Sequence, residues 1–358
     1  MTSHRDSTFC ARLLFLSGQA QKLSMLYTVL SADLVQDRDA LLRVWRRNIP
    51  WYTLDEHAAR IHWYLGNPCG PTRMFMARYE PTGEIVGTIG LVSRLISATG
   101  ITRTAGVVTD IAVDRSHRTA QPALLLTRAI VECLSDKIPL IWTYPNAESV
   151  GVFRRAGFRV EGDCISYTKI LRSLSRIQRR GIPAPFDRWI AALIDETLLL
   201  SSRNGGQKQS SADLVLRAQS CKLASLLARN DLVSTLNVQR SPEFFEWVYE
   251  RSPYRKYVLL GIGNADEPSL DACACCYIKN GRAELDDIVY RPIPGLLDAV
   301  FAIVVQWAMR EGCSDLSFRS ANLHPTVLCT LQRFGFRPSP WRPLVVLRHS
   351  SLTTSFRL

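Results

Sequence analysis

Two short motifs recur in this chain at nearly one spacing. Arg155-Ala156-Gly157-Phe158-Arg159 returns as Arg333-Phe334-Gly335-Phe336-Arg337, and Asp110-Ile111-Ala112-Val113 returns as Asp287-Ile288-Val289-Tyr290. The glycines lie 178 residues apart and the aspartates 177. Either motif alone is weak, because helices often end in glycine followed by an apolar residue. The agreement of the two offsets, each in a strand-helix-strand-helix-glycine context, points to tandem copies of one unit. At about 150 residues per unit, a chain of 358 has room for two.

The pattern between the motifs supports this. Strand signals fall at Tyr27–Leu30, Arg73–Tyr79, Glu84–Arg94 and Thr104–Val113, with Pro81-Thr82-Gly83 as a hairpin turn. Helical spacing starts near Asp37 and again at Leu54–Leu65, entered through Thr53. A helix over Leu124–Ser135, the apolar strand Ile138–Tyr144, a helix over Asn146–Ala156 and the strand Phe158–Ile170 complete the first copy. The second copy reads as a short helix at Pro242–Arg251 and strands at Tyr257–Gly263, Asp271–Lys279 and Arg282–Tyr290. The last two strands are joined by Asn280-Gly281, the strongest hairpin dipeptide in the chain. The helix Leu296–Glu311, the strand Leu316–Arg319, a helix ending at Arg333 and the strand Pro343–Arg348 follow. Between the copies, 171–240 reads as a helical linker region, with a helix over Phe186–Leu200 and a polar loop around Gly205-Gly206. Residues 1–26 read as an N-terminal tail. The order of elements is that of a mixed α+β domain.

Hydrophobic residues make up 47% and charged residues 21%, which excludes low-complexity disorder, collagen and coiled coil for the chain as a whole. The net charge of +12 favours anionic partners. It is dispersed arginine with no run of five basic residues and no basic-aromatic stripe, which argues against nucleic-acid binding. Ten cysteines in 358 residues are too dilute for a disulfide scaffold, so the expected compartment is reducing and cytoplasmic. Cys273, Cys275 and Cys276 lack a second ligand pair at zinc spacing and read as buried strand thiols, with no metal expected. Gly295–Gly312 is the best membrane candidate, and Asp298 and Arg310 interrupt it. Ala11–Leu16 is too short for a span and lacks a small-residue cleavage site.

The chemistry concentrates in Val107–Ala129, a strand, a turn carrying Arg115, His117 and Arg118, and an apolar helix beginning near Pro122. A helix start with free N–H groups is a ready phosphate site. On spacing alone, a plain connection with solvated arginines accounts for the same segment.

Here the chain resembles a family. Ile111-Ala112-Val113-Asp114-Arg115-Ser116-His117-Arg118 resembles the acyl-CoA-binding strand and turn of the GNAT N-acyltransferase superfamily. Tyr144-Pro145-Asn146 through Gly157-Phe158 resembles its second cofactor motif, an Asn-initiated helix ending in Gly-Phe. The resemblance covers about 27–170 and, more faintly, 241–348. A still fainter likeness is to two-domain proteins of bacterial polysaccharide clusters. It implies two tandem domains, 27–170 and 241–350, each a central mixed, mostly antiparallel sheet flanked by helices. It also implies acetyl-CoA as co-substrate, in the gap where the strand of Ile111–Val113 splays from Ile138–Tyr144. Backbone groups of Ile111, Ala112 and Val113 would hold the pantetheine arm and polarise the thioester. The turn Arg118-Thr119-Ala120-Gln121-Pro122-Ala123 would bind pyrophosphate, and Asn146 would lie beside the pantetheine.

Three departures are visible. The family turn usually carries glycines where this chain has Thr119 and Gln121, and Pro122 removes a donor. Phe153 stands where a tyrosine general acid is often found, so Tyr144 or a water takes that role, or the thiolate leaves unassisted. The second copy has Arg291-Pro292-Ile293-Pro294-Gly295 in place of the turn and reads as degenerate. Asp110 is the candidate general base, the alternative being a strand-edge aspartate bonded to backbone. Glu56 and His57 on the second helix, with Trp51 and Tyr52 before it, border the expected acceptor pocket; core packing is the alternative for the aromatics. Three functions remain open: N-acetylation of a small-molecule amine such as an amino sugar, a non-catalytic acyl-CoA or partner-binding module, and nucleic-acid binding on charge alone.

Overall fold

The computed structural model describes residues 26–98, 101–179, 181–203, 223, 226, 227, 233, 234, 238, 240–263, 270–321 and 323–349. The tail read at 1–26, apart from Leu26, and the Gly205-Gly206 loop lie outside them. In chain order the elements are β1 Tyr27–Ala32, α1 Arg38–Asn48, α2 Leu54–Leu65, β2 Arg73–Tyr79, β3 Glu84–Ala98 and β4 Ile101–Val113. Then come α3 Ala120–Val131, β5 Leu140–Thr143, α4 Ala147–Arg155 and β6 Arg159–Ile170. The region between the copies holds α5 Leu174–Arg179, α6 Phe186–Arg203 and the short β7 Val233–Ser234. The second unit has α7 Pro242–Phe245, a π-helical turn Glu246–Glu250, β8 Tyr257–Gly263, β9 Leu270–Lys279, β10 Arg282–Tyr290, α8 Leu296–Arg310, β11 Asp315–Ser320, α9 Pro325–Arg333 and β12 Arg337–Arg348.

Local chemistry explains the helix ends. The Thr53 hydroxyl accepts from the Glu56 N–H while the Glu56 carboxylate accepts from the Thr53 N–H at 2.6 Å, a capping box that starts α2. The Asn146 side chain accepts from the Ser149 N–H at 2.9 Å and starts α4. Gly157 and Gly335 close α4 and α9 at φ +101° and +79°, conformations that favour glycine. Phe158 and Phe336 after them turn into the two cores, so the recurring motif is a helix stop joined to a core anchor.

The strands form one sheet of twelve, in the order β1-β2-β3-β4-β5-β12-β6-β11-β10-β9-β8, with β7 paired to β10. It is mixed: β4–β5 and β10–β11 are parallel and the other pairs antiparallel. The two units exchange their last strands. β6 pairs with β11 of the second unit, and β12 lies between β5 and β6. β12 begins at Arg337, six residues before the expected start at Pro343. Pro338, Pro340 and Pro343 fall where β12 pairs on one side only, with β6; Val345 and Val346 are paired on both sides. Proline is tolerated there because an unpaired edge needs no N–H.

On one face of the sheet, α3 and α4 cover Leu126, Ile130, Ile141, Phe153 and Phe158, and α8 and α9 cover Phe301, Val304, Phe318 and Phe336. The opposite face carries a core common to both units, with Leu41, Trp45, Ile61 and Tyr64 from α1 and α2 packed beside Phe244, Phe245, Trp247 and Tyr249. Cys273, Cys275 and Cys276 are buried in β9, and burial raises the Cys275 and Cys276 thiols, keeping them protonated. No described helix is long and apolar enough to cross a membrane. At the seam, Trp63 and Trp247 stack with centroids 4.1 Å apart and planes 9° apart. Each indole N–H donates to the other residue's backbone oxygen at 2.6 Å. Trp247→Ala removes the stack and the bond that the Trp247 indole donates, and is expected to destabilise the chain by about 3–5 kcal/mol in urea unfolding. A loss under about 1 kcal/mol would show that the seam does not join the units.

Candidate active site

β4 and β5 run parallel but pair only at Gly106↔Ile141 and Val107↔Trp142. The Thr143 hydroxyl donates to the Val108 oxygen at 3.0 Å, and beyond it the strands part. The divergence coincides with a bulge. Thr109 and Ala112 face Gly90 and Thr88, so Asp110 and Ile111 oppose one residue of β3. Such an insertion bends the strand. Asp110 sits at φ +52°, a left-handed conformation that costs a non-glycine residue roughly 1–2 kcal/mol.

The bulge is held from the α1–α2 side. The Trp45 indole N–H donates to the Thr88 hydroxyl at 3.2 Å, which donates to the Asp110 carbonyl at 3.1 Å. The buried Asp110 carboxylate is paired with the Arg60 guanidinium and accepts from the Tyr64 hydroxyl. Arg60 also donates to Tyr64 at 2.8 Å and to Thr109 at 3.1 Å. Burial opposes the Arg60 charge, and the Asp110 carboxylate together with Tyr64 and Tyr254 more than offsets it, so the guanidinium stays protonated. Burial raises the Tyr64 phenol well above its usual value.

The second unit repeats the device. β10 carries a bulge between Leu285 and Asp287, and Asp287 is bidentate to Arg240 at 2.8 and 2.8 Å and accepts from Tyr249 at 3.0 Å. β10 and β11 also part after three parallel pairs, ending at Leu285↔Phe318. The recurring aspartates are therefore the anchors of two equivalent bulges.

Past β4, the buried Asp114 accepts from Arg47 at 3.0 Å and Asn48 at 2.6 Å. Arg118 turns back to the Val113 oxygen at 3.1 Å and to Asn48 at 3.3 Å. Neither Arg115 nor Arg118 has a carboxylate partner among the described residues. An open pocket of ≈ 990 Å³ lies against the turn, lined in part by Arg47, Trp51, Arg115, Ser116, His117 and Arg118. The helix α3 starts at Ala120, so Pro122 is its third residue and presents no N–H; Thr119 makes no side-chain cap. Basic side chains and the helix start fit an anionic diphosphate, with one backbone donor lost at Pro122 and side chains at Thr119 and Gln121 where glycine would let a phosphate come closer. In the second unit, Pro292 and Pro294 carry no N–H and the Leu296 N–H is taken by the Ile293 oxygen at 3.2 Å.

No protein-family model matches the chain. No curated protein matches its sequence. A solved structure from Enterococcus faecalis V583, described as a conserved protein of unknown function and probable N-acyltransferase, superposes with TM-score 0.64 at 8% identity, over 90% of this chain and 72% of that one. A tandem GNAT protein from the clavulanic acid biosynthesis pathway gives 0.55 at 11%, over 90% and 98%. A GCN5-related N-acetyltransferase from Kribbella flavida gives 0.58 at 13%, over 89% and 70%. The fold is that of a tandem GCN5-related N-acetyltransferase.

Within this tandem GNAT fold, Ile111, Ala112 and Val113 line the end of the diverging β4, and Asn146 caps α4 on the far side of the gap. Tyr144 leaves β5 at the opening, and burial raises its phenol far above the ordinary value of 10, so it keeps its proton at neutral pH. Phe153 is in the α3–α4 core, edge-on to Phe158 at 5.2 Å. Of the four acceptor candidates, the rings of Trp51, Tyr52 and His57 meet in a row, at 6.4 and 5.8 Å, while the Glu56 side chain turns to the helix start. Trp51 is 66% exposed and borders the pocket at the turn. The Glu56 carboxylate caps α2, and His57 is buried with Nε2 3.2 Å from the Ile49 oxygen. Burial lowers the His57 imidazole, which keeps it neutral. Tyr52 stacks at 4.6 Å on Tyr254, a residue of the second unit that also covers Arg60 at 4.9 Å. Arg60, Tyr64 and Tyr254 are the residues sequence reasoning missed. Only the Arg60–Tyr64 pair had a signal, its i, i+4 spacing on one helix face. Among the described residues, no group of three or more His, Cys, Asp or Glu side chains is placed to hold a metal ion.

Asp110→Asn leaves the Arg60 cation buried without its counter-charge and is expected to lower stability by about 3–5 kcal/mol. Urea midpoints read this directly; a change near zero would make the cage dispensable.

Proposed function

We propose that this chain is an acyl-CoA-dependent N-acyltransferase whose first unit holds the thioester, with acetyl-CoA as donor and a small-molecule amine as acceptor. The observation that carries this reading is the gap between β4 and β5, which opens at the Asp110–Ile111 bulge and ends at a basic turn and a helix start. Free backbone groups on diverging strands can take an extended amide-bearing arm, and the turn suits its anionic end. Binding the two reactants there supplies much of the rate by positioning. The neutral amine nitrogen attacks the thioester carbonyl carbon, the C–S bond breaks, and the amine proton passes to solvent. In our reading Tyr144, protonated and at the opening, gives its proton to the departing sulfur and regains one from solvent, which has taken up the amine proton. Asp110 is a positioning residue, because both its oxygens are engaged by Arg60 and Tyr64. The second unit serves the acceptor side, since its turn carries two prolines. A cytoplasmic setting is part of this reading, supported by eight described cysteines that are all free. An amino sugar belongs in the first acceptor panel.

A second reading, acyl-CoA binding without transfer, is favoured by the glycine-poor turn and by Phe153 in the core. One experiment separates the two. Acetyl-CoA at about 100 times its dissociation constant contributes about 2.7 kcal/mol and is expected to raise Tm by about 5 °C. Thiol release across an amine panel should accompany it under the first reading. A shift without thiol release supports binding alone, and no shift at millimolar acetyl-CoA overturns both.

Tyr144→Phe is expected to lower thiol release by about 100-fold while the acetyl-CoA thermal shift persists. Unchanged turnover would remove Tyr144 from the reaction.

A further inference from the structure

One charged cluster is used by neither the fold nor the reaction above. Trp341 occupies a further bulge, between Pro340 and Arg342 on β12, and remains 40% exposed. Bulges beside sites re-aim side chains, and this one brings the indole to 6.2 Å from the Tyr144 ring. The guanidinium carbons of Arg319 and Arg342 lie 4.9 and 4.7 Å from the indole centroid. Arg319 donates to Glu284 at 2.9 Å, but its buried Nε–H meets no acceptor. Arg342 donates to the Tyr144 oxygen at 3.4 Å and has no carboxylate partner among the described residues. Burial raises the Glu284 carboxyl, and its pairing with Arg319 opposes that rise. Of two guanidiniums on one indole, only Arg319 is paired with a carboxylate, and its buried Nε–H is left unmet. A buried polar group without a partner costs roughly 1–3 kcal/mol, unless another acceptor completes it.

We propose that Arg319, Arg342 and Trp341 form a subsite for an anionic oxygen group, carboxylate or phosphate, carried by the amine acceptor. The proposal rests on the acyltransfer reading for its role, because the subsite adjoins Tyr144. Paired guanidiniums suit either anion through forked N–H donors. Three groups contributed by the second unit would then select the substrate that the first unit acylates.

The first measurement does not need turnover. Inorganic phosphate and glutarate, tested separately at constant ionic strength, are expected to raise the Tm of the full chain by about 2–3 °C. Arg342→Gln should lose at least half of that shift and Arg342→Lys should keep part of it. Equal shifts in wild type and Arg342→Gln, or no shift with either anion, would overturn the subsite. The second measurement compares kcat/KM for matched amines, phosphoethanolamine against ethanolamine and β-alanine against β-alaninamide. The charged member should be favoured by about tenfold, mainly through KM, with the ratio falling toward one in Arg342→Gln. Whichever pair shows the larger ratio assigns the anion. A ratio of one in the wild type overturns the proposal and leaves acyl transfer standing. No turnover with any amine, together with an anion shift lost in Arg342→Gln, keeps the subsite and removes the acyltransfer reading.

Discussion

An aspartate caged by arginine and tyrosine at a β-bulge organises each half of this sheet. At Asp110 the chain accepts a left-handed backbone and a buried charge, both unfavourable alone. Arg60 and Tyr64 neutralise the charge, and the Trp45–Thr88 relay holds the backbone. The gain is geometric. A parallel pair that stays in register has no room for a ligand between its strands, whereas a bulged strand turns aside from its neighbour. Asp287, Arg240 and Tyr249 do the same in the second unit, although the turn beyond that bulge carries two prolines. Recurrence in a unit without the basic turn marks the arginine–tyrosine cage as architecture of the fold.

The strand exchange makes the two units one object. β5 takes β12 as its neighbour and β6 goes to β11, so neither unit completes its own sheet. The common core and the Trp63–Trp247 stack close the other face. The exchange also brings Trp341 and Arg342 beside Tyr144, and the seam brings Tyr254 over Arg60. Residues over 190 positions apart therefore meet in both places.

Much of the fold was legible because it depends on near neighbours. Capping at Thr53 and Asn146, glycine stops at Gly157 and Gly335, and the Asn280-Gly281 hairpin are settled within a few residues. The offset of the two motifs showed duplication, and the structure gives its reason in paired bulges and paired helix stops. β12 was read short because three prolines disguise a strand whose partner on one side is missing. Of the candidate site, the diverging strand, the basic turn and the Asn146 cap were visible as contiguous motifs. Glu56 and His57 were read as acceptor contacts, and their side chains instead cap α2 and face inward. Tyr254, Arg319 and Trp341 carried no local signal, since each matters only for what it meets across the sheet.

From the sequence alone came two related α+β units, their elements, the basic turn and the recurring aspartate, read at Asp110 as a candidate base. Tertiary structure alone decided which strand pairs with which, that the last strands are exchanged, and that Asp110 is caged. The reason is physical. Turns and caps are satisfied by bonds to groups a few residues away, so local residue types specify them. A strand edge accepts any partner with a matching alternation, and a buried charge is settled by whichever opposite group the fold delivers.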